Sequence, residues 1–249
     1  MKHYVLGIHD GTHNAGAAIL CDGEILAACD EERFTRQKNS GGFPIHSIQE
    51  CLKLANCSID DIHSIAMPGL VNPNPMLRFV RPLQQHWKLD QGQFYSSTRS
   101  FSSRCSDWIQ FRSPFPYLRS SHAFYAPYLH KNLRRQMQKQ LGFSGKIDLY
   151  DHHLCHAAST YYASGHSEAL VLIADGLGDG LALSVWTGIR GSLRRIAEMP
   201  YPHSYGLLYS SFTGFLGFRP FRHEGKLTGL AARGSAEKIP IAFPFYGDF

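Results

Sequence analysis

The sequence predicts an α/β protein made of two related lobes. Three observations predict it. Apolar runs at 4–9 and 169–174 each stop at Asp-Gly, in Asp10-Gly11 and Asp175-Gly176. Each is followed by a second apolar run, a tight turn and a third run, so one strand–loop–strand–turn–strand unit recurs about 165 residues later. Between the two units stands Asp151-His152-His153-Leu154-Cys155-His156, with imidazoles four residues apart.

Taken in order, residues 4–9 are β-rich and meet the polar Asp10-Gly11-Thr12. Residues 15–21 form the second run, and Asp22-Gly23 is a hairpin turn signal. Residues 24–29 form the third run and lead into Asp30-Glu31-Glu32-Arg33, which completes a three-stranded meander. Residues 35–44 are polar and glycine-rich, hence a loop. Apolar side chains at 45, 48, 52 and 54 give a helical pattern over 45–55, and 62–67 reads as a buried strand. From 73 to 127 the pattern degrades into prolines, serines and aromatics interleaved with arginine. Leu129, Leu133, Met137 and Leu141 then recur at i+4 and mark a basic helix that Gly142 stops. Residues 147–150 form a short strand into the histidines, and 157–163 continue a helix up to Gly165.

The second unit has strands at 169–174, 181–186 and 193–199, with a turn at 188–191. Residues 204–217 follow as an amphipathic helix, and His223-Glu224-Gly225-Lys226 opens another through Ala232. The expected division is a first lobe over 1–165, with a basic helical insertion at about 73–145, and the start of a second lobe over 166–249. Two meanders that each present an Asp-Gly loop suggest two lobes facing one nucleotide. That is the logic of the actin-like ATPase (ribonuclease H-like) fold, in which loop amides and an Asp approach phosphate from opposite sides.

Composition narrows the class. At 43% hydrophobic residues the chain can build a core, so global disorder is excluded. Its longest strictly apolar run is far too short to cross a bilayer, and no signal peptide is apparent, so a cytoplasmic location is expected. Six cysteines without a C-x-x-C pair point to reduced thiols. The net charge of +5 is uneven: residues 78–146 hold twelve Lys/Arg against Asp90 and Asp107. Such a segment could meet an anionic partner. It carries no RNA-binding signature, so nucleic acid is not expected, and an inserted subdomain shaping a substrate site is the alternative.

The histidines carry the chemistry. On a helix His152 and His156 project from one face about a turn apart and can share a divalent metal. The plainer alternative is a histidine cluster bonding to backbone at a helix start. His153 points off that face and reads as structural, Asp151 is suited to cap the helix, and Cys155 could reach a metal at i+3. Asp175-Gly176-Leu177-Gly178-Asp179 reads as a phosphate-approaching loop, though such strings also form ordinary turns. Asp10-Gly11-Thr12-His13 is its counterpart, with His13 placed to donate to a developing oxyanion or to position an acceptor; alternatively it is a hairpin loop with an exposed histidine. Glu31, Glu32, Arg33 and Arg36 lie near an acceptor or form a solvated loop. Glu224 and Lys226 lie near a nucleotide or begin a helix with an acidic first turn.

Gly7-Ile8-His9-Asp10-Gly11-Thr12-His13-Asn14-Ala15-Gly16-Ala17-Ala18, Asp30-Glu31-Glu32-Arg33-Phe34-Thr35-Arg36 and Gly41-Gly42-Phe43-Pro44 resemble the ATP-dependent O-carbamoyltransferases. So do His152-His153-Leu154-Cys155-His156-Ala157, Asp175-Gly176-Leu177-Gly178-Asp179 and Glu224-Gly225-Lys226-Leu227-Thr228-Gly229-Leu230-Ala231. The six motifs lie in order over roughly 4–234. Members make nodulation factors and carbamoylated antibiotics. The resemblance implies an actin-like domain that binds carbamoyl-adenylate, made from carbamoyl phosphate and ATP in a separate C-terminal module, beside a divalent metal, usually iron, with zinc as the alternative. The carbamoyl group then passes to an acceptor hydroxyl on a sugar, antibiotic or lipo-oligosaccharide. Carried over, His152 and His156 correspond to the metal histidines and His13 to the histidine near the transferred group. Asp10 and Asp175 head the phosphate-facing loops, with Gly11, Thr12, Gly176, Gly178 and Asp179, and Glu224 and Lys226 are nucleotide-proximal.

Family members are longer. This chain is therefore expected to lack the rest of the second lobe, a late aspartate ligand and the adenylate-forming module, as a truncated or frame-shifted product would, and residues 239–249 do not resemble a continuing family sequence. An incomplete lobe is expected to leave an unpaired sheet edge and exposed apolar helices. Two rivals stand beside carbamoyl transfer. One is an inactive remnant that binds nucleotide or metal without turnover. The other is an actin-like sugar kinase or phosphatase, against which the paired histidines count, since magnesium prefers oxygen ligands.

Overall fold

The computed structural model describes residues 2–11, 13–70, 122–201 and 203–235. Thr12, most of the basic segment and the 239–249 tail lie outside the described residues. The elements are β1 (Tyr4–His9), β2 (Gly16–Cys21), β3 (Glu24–Asp30), α1 (Glu32–Thr35), α2 (Ile45–Leu54), β4 (Ile62–Pro68), α3 (His122–Leu141), β5 (Lys146–Tyr150), α4 (His152–Ala163), β6 (Glu168–Gly178), β7 (Leu181–Ile189), β8 (Ser192–Pro200), α5 (Tyr205–Phe215) and α6 (Glu224–Ala231).

The first sheet has the order β3-β2-β1-β4-β5. Its first three strands are the expected antiparallel meander, and β4 and β5 add in parallel to β1. This is the strand order of a ribonuclease H-like lobe. Asp22 and Gly23 both take positive φ, the conformation that a two-residue hairpin with the strands' own twist requires. Leu6, Ile8 and Ile19 from the sheet pack with Ile48 and Cys51 of α2 and with Leu129, Leu133 and Met137 of α3. The i+4 stripe of α3 is thus the buried one, although the helix begins seven residues earlier than Leu129, at His122.

The second sheet, β6-β7-β8, is again an antiparallel meander, so the fold is a duplicated actin-like one, with three strands in the second sheet among the described residues. Helix α4 packs on it, placing Ala157 and Tyr161 against Val171, Ile173 and Trp186. Thus residues 152–163, grouped with the first lobe by sequence, are seated on the second sheet. Two boundaries differ from expectation. Strand β6 continues beyond Ala174 through an irregularity and pairs again at Gly178–Leu181. The turn is therefore at Asp179-Gly180 rather than at Asp175-Gly176: Asp179 and Gly180 take positive φ. Likewise β7 reaches Ile189, and Arg190-Gly191 turn into β8.

Helix α5 is amphipathic in an unexpected sense. Its buried residues are Ser210 and Thr213, while Leu208, Phe212 and Phe215 are exposed. Leu170 and Leu172 of β6 are 69% and 62% exposed, and among the described residues β6 pairs only with β7. Among the described residues, the expected open edge and uncovered apolar surface are both present. Among the described residues no helix is long and apolar enough to cross a membrane.

Candidate metal centre

Asp151 ends the loop after β5 and caps α4, its carboxylate accepting from Leu154 N at 2.9 Å. The cap fixes the phase of the first turn. His153 is fully buried, with Nδ1 2.8 Å from Ser184 Oγ and Nε2 3.3 Å from the Leu181 carbonyl. With His153 inward, His152 and His156 share the opposite side. Their Nε2 atoms lie 2.9 Å apart. Asp175, in the irregular part of β6, brings Oδ2 to 3.0 Å from His152 Nε2. The three ligand atoms all lie within 4.8 Å of one another.

The donor set fits a metal. Asp175 Oδ2 is closed off from solvent, and its close neighbour is His152 Nε2. That one nitrogen faces both Asp175 Oδ2 and His156 Nε2, and a single proton cannot satisfy both. All three ligand atoms lie close enough together that one ion could be shared among them. Two imidazoles and a carboxylate suit iron or zinc rather than magnesium.

Without an ion the charges compensate one another. Burial pulls the His152 pKa down, but Asp175, then Asp179 and Asp151, outweigh it and raise it. Burial raises that of Asp175, but His152 brings it down to about 2. His156 is lowered, by burial first and then by the charge of His152. Burial pushes the Cys155 thiol up to about 12, so it stays protonated, and it is not among the three clustered ligands.

Glycine 178 makes room for this cluster: a Cβ there would stand 2.7 Å from His152 Cγ and 2.9 Å from its Nε2. Glycine 11 has the same relation to the His9 ring, which a Cβ would strike. His9 Nε2 lies 3.3 Å from the His13 carbonyl and so ties down the β1–β2 loop. His13 is an exposed residue, yet desolvation lowers its pKa, with Asp175 raising and His152 lowering it, which sets its ring within electrostatic reach of the cluster. Asp10 is buried at the end of β1.

Other sequence candidates have internal partners. Asp179 Oδ2 accepts from His152 N at 2.8 Å and Leu70 N at 2.9 Å. Glu224 accepts from Ser210 Oγ at 2.6 Å and from Phe221 N, and Lys226 Nζ lies 3.2 Å from His223 Nε2. Among the described residues, no hydrogen bond or ion pair joins Glu224 or Lys226 to His152 or Asp175. Glu31 is neither solvated nor near the cluster by contact. It is buried and accepts from Ser47 N, Ser47 Oγ and His46 Nδ1 at 2.9, 2.8 and 2.6 Å. It thereby caps α2, whose own N-cap Pro44 has no acceptor side chain. His9 joins the site without a spacing motif to mark it; its signal in the sequence is a histidine at the end of an apolar strand.

A family profile described as "Carbamoyltransferase N-terminus" matches residues 4–243, including 239–243, which the sequence reading left outside the resemblance. An uncharacterized protein of Synechocystis sp. is 33% identical over 243 residues, 96% of this chain and 36% of that one. The nodulation protein NolNO of Sinorhizobium fredii is 28% identical over 225 residues, 89% of this chain and 28% of that one. The chain spans about a third of the length of these curated relatives. Among solved structures, the ROK hexokinase from Thermus thermophilus aligns with a TM-score of 0.40 at 13% identity, over 95% of this chain and 71% of that one. Since the family match takes in both meanders, His152, His156 and Asp175, the chain belongs to the carbamoyltransferase family and corresponds to its N-terminal part.

Proposed function

We propose that this chain provides the carbamoyl-transfer site of a carbamoyltransferase. The donor is carbamoyl-adenylate, made from carbamoyl phosphate and ATP in an adenylate-forming module outside this chain. The acceptor is a hydroxyl of a small molecule such as a sugar, antibiotic or lipo-oligosaccharide. The observation that carries this reading is the convergence of His152 Nε2, His156 Nε2 and Asp175 Oδ2.

These three residues would hold a divalent metal, iron or zinc, which when bound supplies Lewis-acid polarisation of a carbonyl oxygen. The 3.0 Å contact of Asp175 Oδ2 with His152 Nε2 supports a place for Asp175 in this set rather than at a phosphate. His13, whose pKa is lowered, is proposed to take the proton of the attacking hydroxyl. A bond forms between the acceptor oxygen and the carbamoyl carbon, the carbon–oxygen bond to adenylate breaks, and AMP leaves. Asp10 and Gly11 after β1 and Gly176 in the irregular part of β6 are proposed to face the nucleotide. An open groove of about 600 Å³ over the first sheet, bordered by His9, Asn14, Cys155 and Ser159, gives an acceptor room to approach.

The test is metal content per chain in the purified protein, with His152→Ala/His156→Ala as control. About one iron or zinc in the parent and none in the variant is expected, followed by transfer from supplied carbamoyl-adenylate. Equal metal in both would overturn the site. Hydrolysis of ATP stimulated by sugar and dependent on magnesium would favour the kinase reading instead.

A further inference from the structure

We infer that Asp179 is a positioning residue: its carboxylate fixes the backbone of the metal-facing His152 and ties it to both halves of the fold. The inference rests on the metal reading of His152. Asp179 has no solvent exposure, and a buried carboxylate is costly unless donors surround it. Its Oδ2 accepts from His152 N at 2.8 Å and from Leu70 N at 2.9 Å. His152 N is the first amide of α4, one of the donors a helix leaves unpaired at its start. Leu70 follows β4, and the neighbouring Gly69 N donates to the Tyr150 carbonyl at the end of β5 at 2.8 Å. The ends of β4 and β5 and the start of α4 therefore converge on one side chain that belongs to the β6–β7 turn.

The local backbone makes this placement specific. Asp179 and Gly180 take φ of 50° and 81°, a turn that Asp or Asn followed by Gly adopts readily. Gly178, the preceding residue, abuts the His152 ring. Consecutive residues of one turn thus hold both the backbone and the imidazole of a single ligand. Two carboxylates, of Asp151 and Asp179, accept amides of the first turn of α4, where the helix dipole favours negative charge. Partners of this kind orient a ligand without touching the ion.

The test pairs Asp179→Gly, which keeps the turn but removes the acceptor, with Asp179→Asn, which keeps both. Zn²⁺ is titrated into each folded protein in competition with a chromophoric chelator. Asp179→Gly is expected to bind about 10–100-fold more weakly and Asp179→Asn within about threefold of the parent. Parent-like affinity in a folded Asp179→Gly would overturn the inference. Amide exchange supplies a metal-free readout that holds even if Asp179→Gly does not fold. The His152 and Leu70 amides of the parent are expected to be protected, and exchange at the rate of an unstructured chain would overturn the clasp. Equal Zn²⁺ binding by the parent and His152→Ala would instead defeat the metal reading, leaving the exchange experiment to decide on Asp179.

Discussion

The imidazole of His152 lies against the α-carbon of Gly178, with no room for a side chain between them. A Cβ at 178 would meet Cγ and Nε2 of the ring at 2.7 and 2.9 Å. By contrast, a Cβ at Gly176 would meet nothing within 4 Å. If the two glycines served only to let a phosphate approach, alanine at either would be harmful. If the three-atom cluster is the site, Gly178→Ala should displace the ring and weaken Zn²⁺ or Fe²⁺ binding by about tenfold or more, while Gly176→Ala leaves it unchanged. Isothermal titration of both variants checks this.

The His152–Asp175 pair sets a pH window for the metal-free protein. Asp175 has its pKa brought from 3.8 down to about 2, so its contribution is present above 3.8 and lost as pH falls through about 2. That of His152 is raised above 6.5, so its contribution is complete below 6.5 and lost as pH rises through the folded value. The pair therefore stabilises fully only between these limits, by roughly 2 kcal/mol at most. Melting temperatures in chelator should show this window, and Asp175→Asn should remove it. Saturating metal should abolish the loss on the alkaline side, because the ion takes the place of the proton.

Glu31 offers a separation of fold from site. Glu31→Ala strands the Ser47 amide and hydroxyl in a buried place and takes the carboxylate partner from the exposed His46 ring. The expected cost is about 2–3 kcal/mol in urea denaturation, with metal affinity unchanged. Burial raises the Glu31 pKa, but the bonds from Ser47 and His46 bring it below 4.5, so this contribution too is lost as pH falls below that value.

Much of this was legible in the chain. The i, i+4 spacing of His152 and His156, the inward turn of His153 and the Asp151 cap follow from helix geometry alone. Asp22-Gly23 named its hairpin because local chemistry decides that turn. Asp175-Gly176 misled because an Asp-Gly pair does not say whether the strand stops there. Asp179-Gly180 competes for the same turn, and the partners of Asp179, Leu70 and His152, are 109 and 27 residues away. Glu31 likewise reads as one of a run of surface charges until α2 folds back onto it. The exposed Phe212 and Phe215 give an apolar pattern without saying what covers it.

His9 tests how the first half reaches the reaction. Its ring packs under Gly11 and its Nε2 lies 3.3 Å from the His13 carbonyl, while burial lowers its pKa and keeps it neutral. A neutral ring donating through Nε2 fixes the backbone of the loop that carries His13. Replacement by phenylalanine keeps the volume and removes the donor. Misplacing a reacting group by a fraction of an ångström is costly, so His9→Phe should lower kcat for transfer from carbamoyl-adenylate by about tenfold or more. Metal affinity should stay at the parent value, since His9 is not among the clustered ligands. Loss of metal together with activity would mean instead that His9 acts through the stability of the whole site, and a parent-like kcat would mean that the loop holds its shape without it.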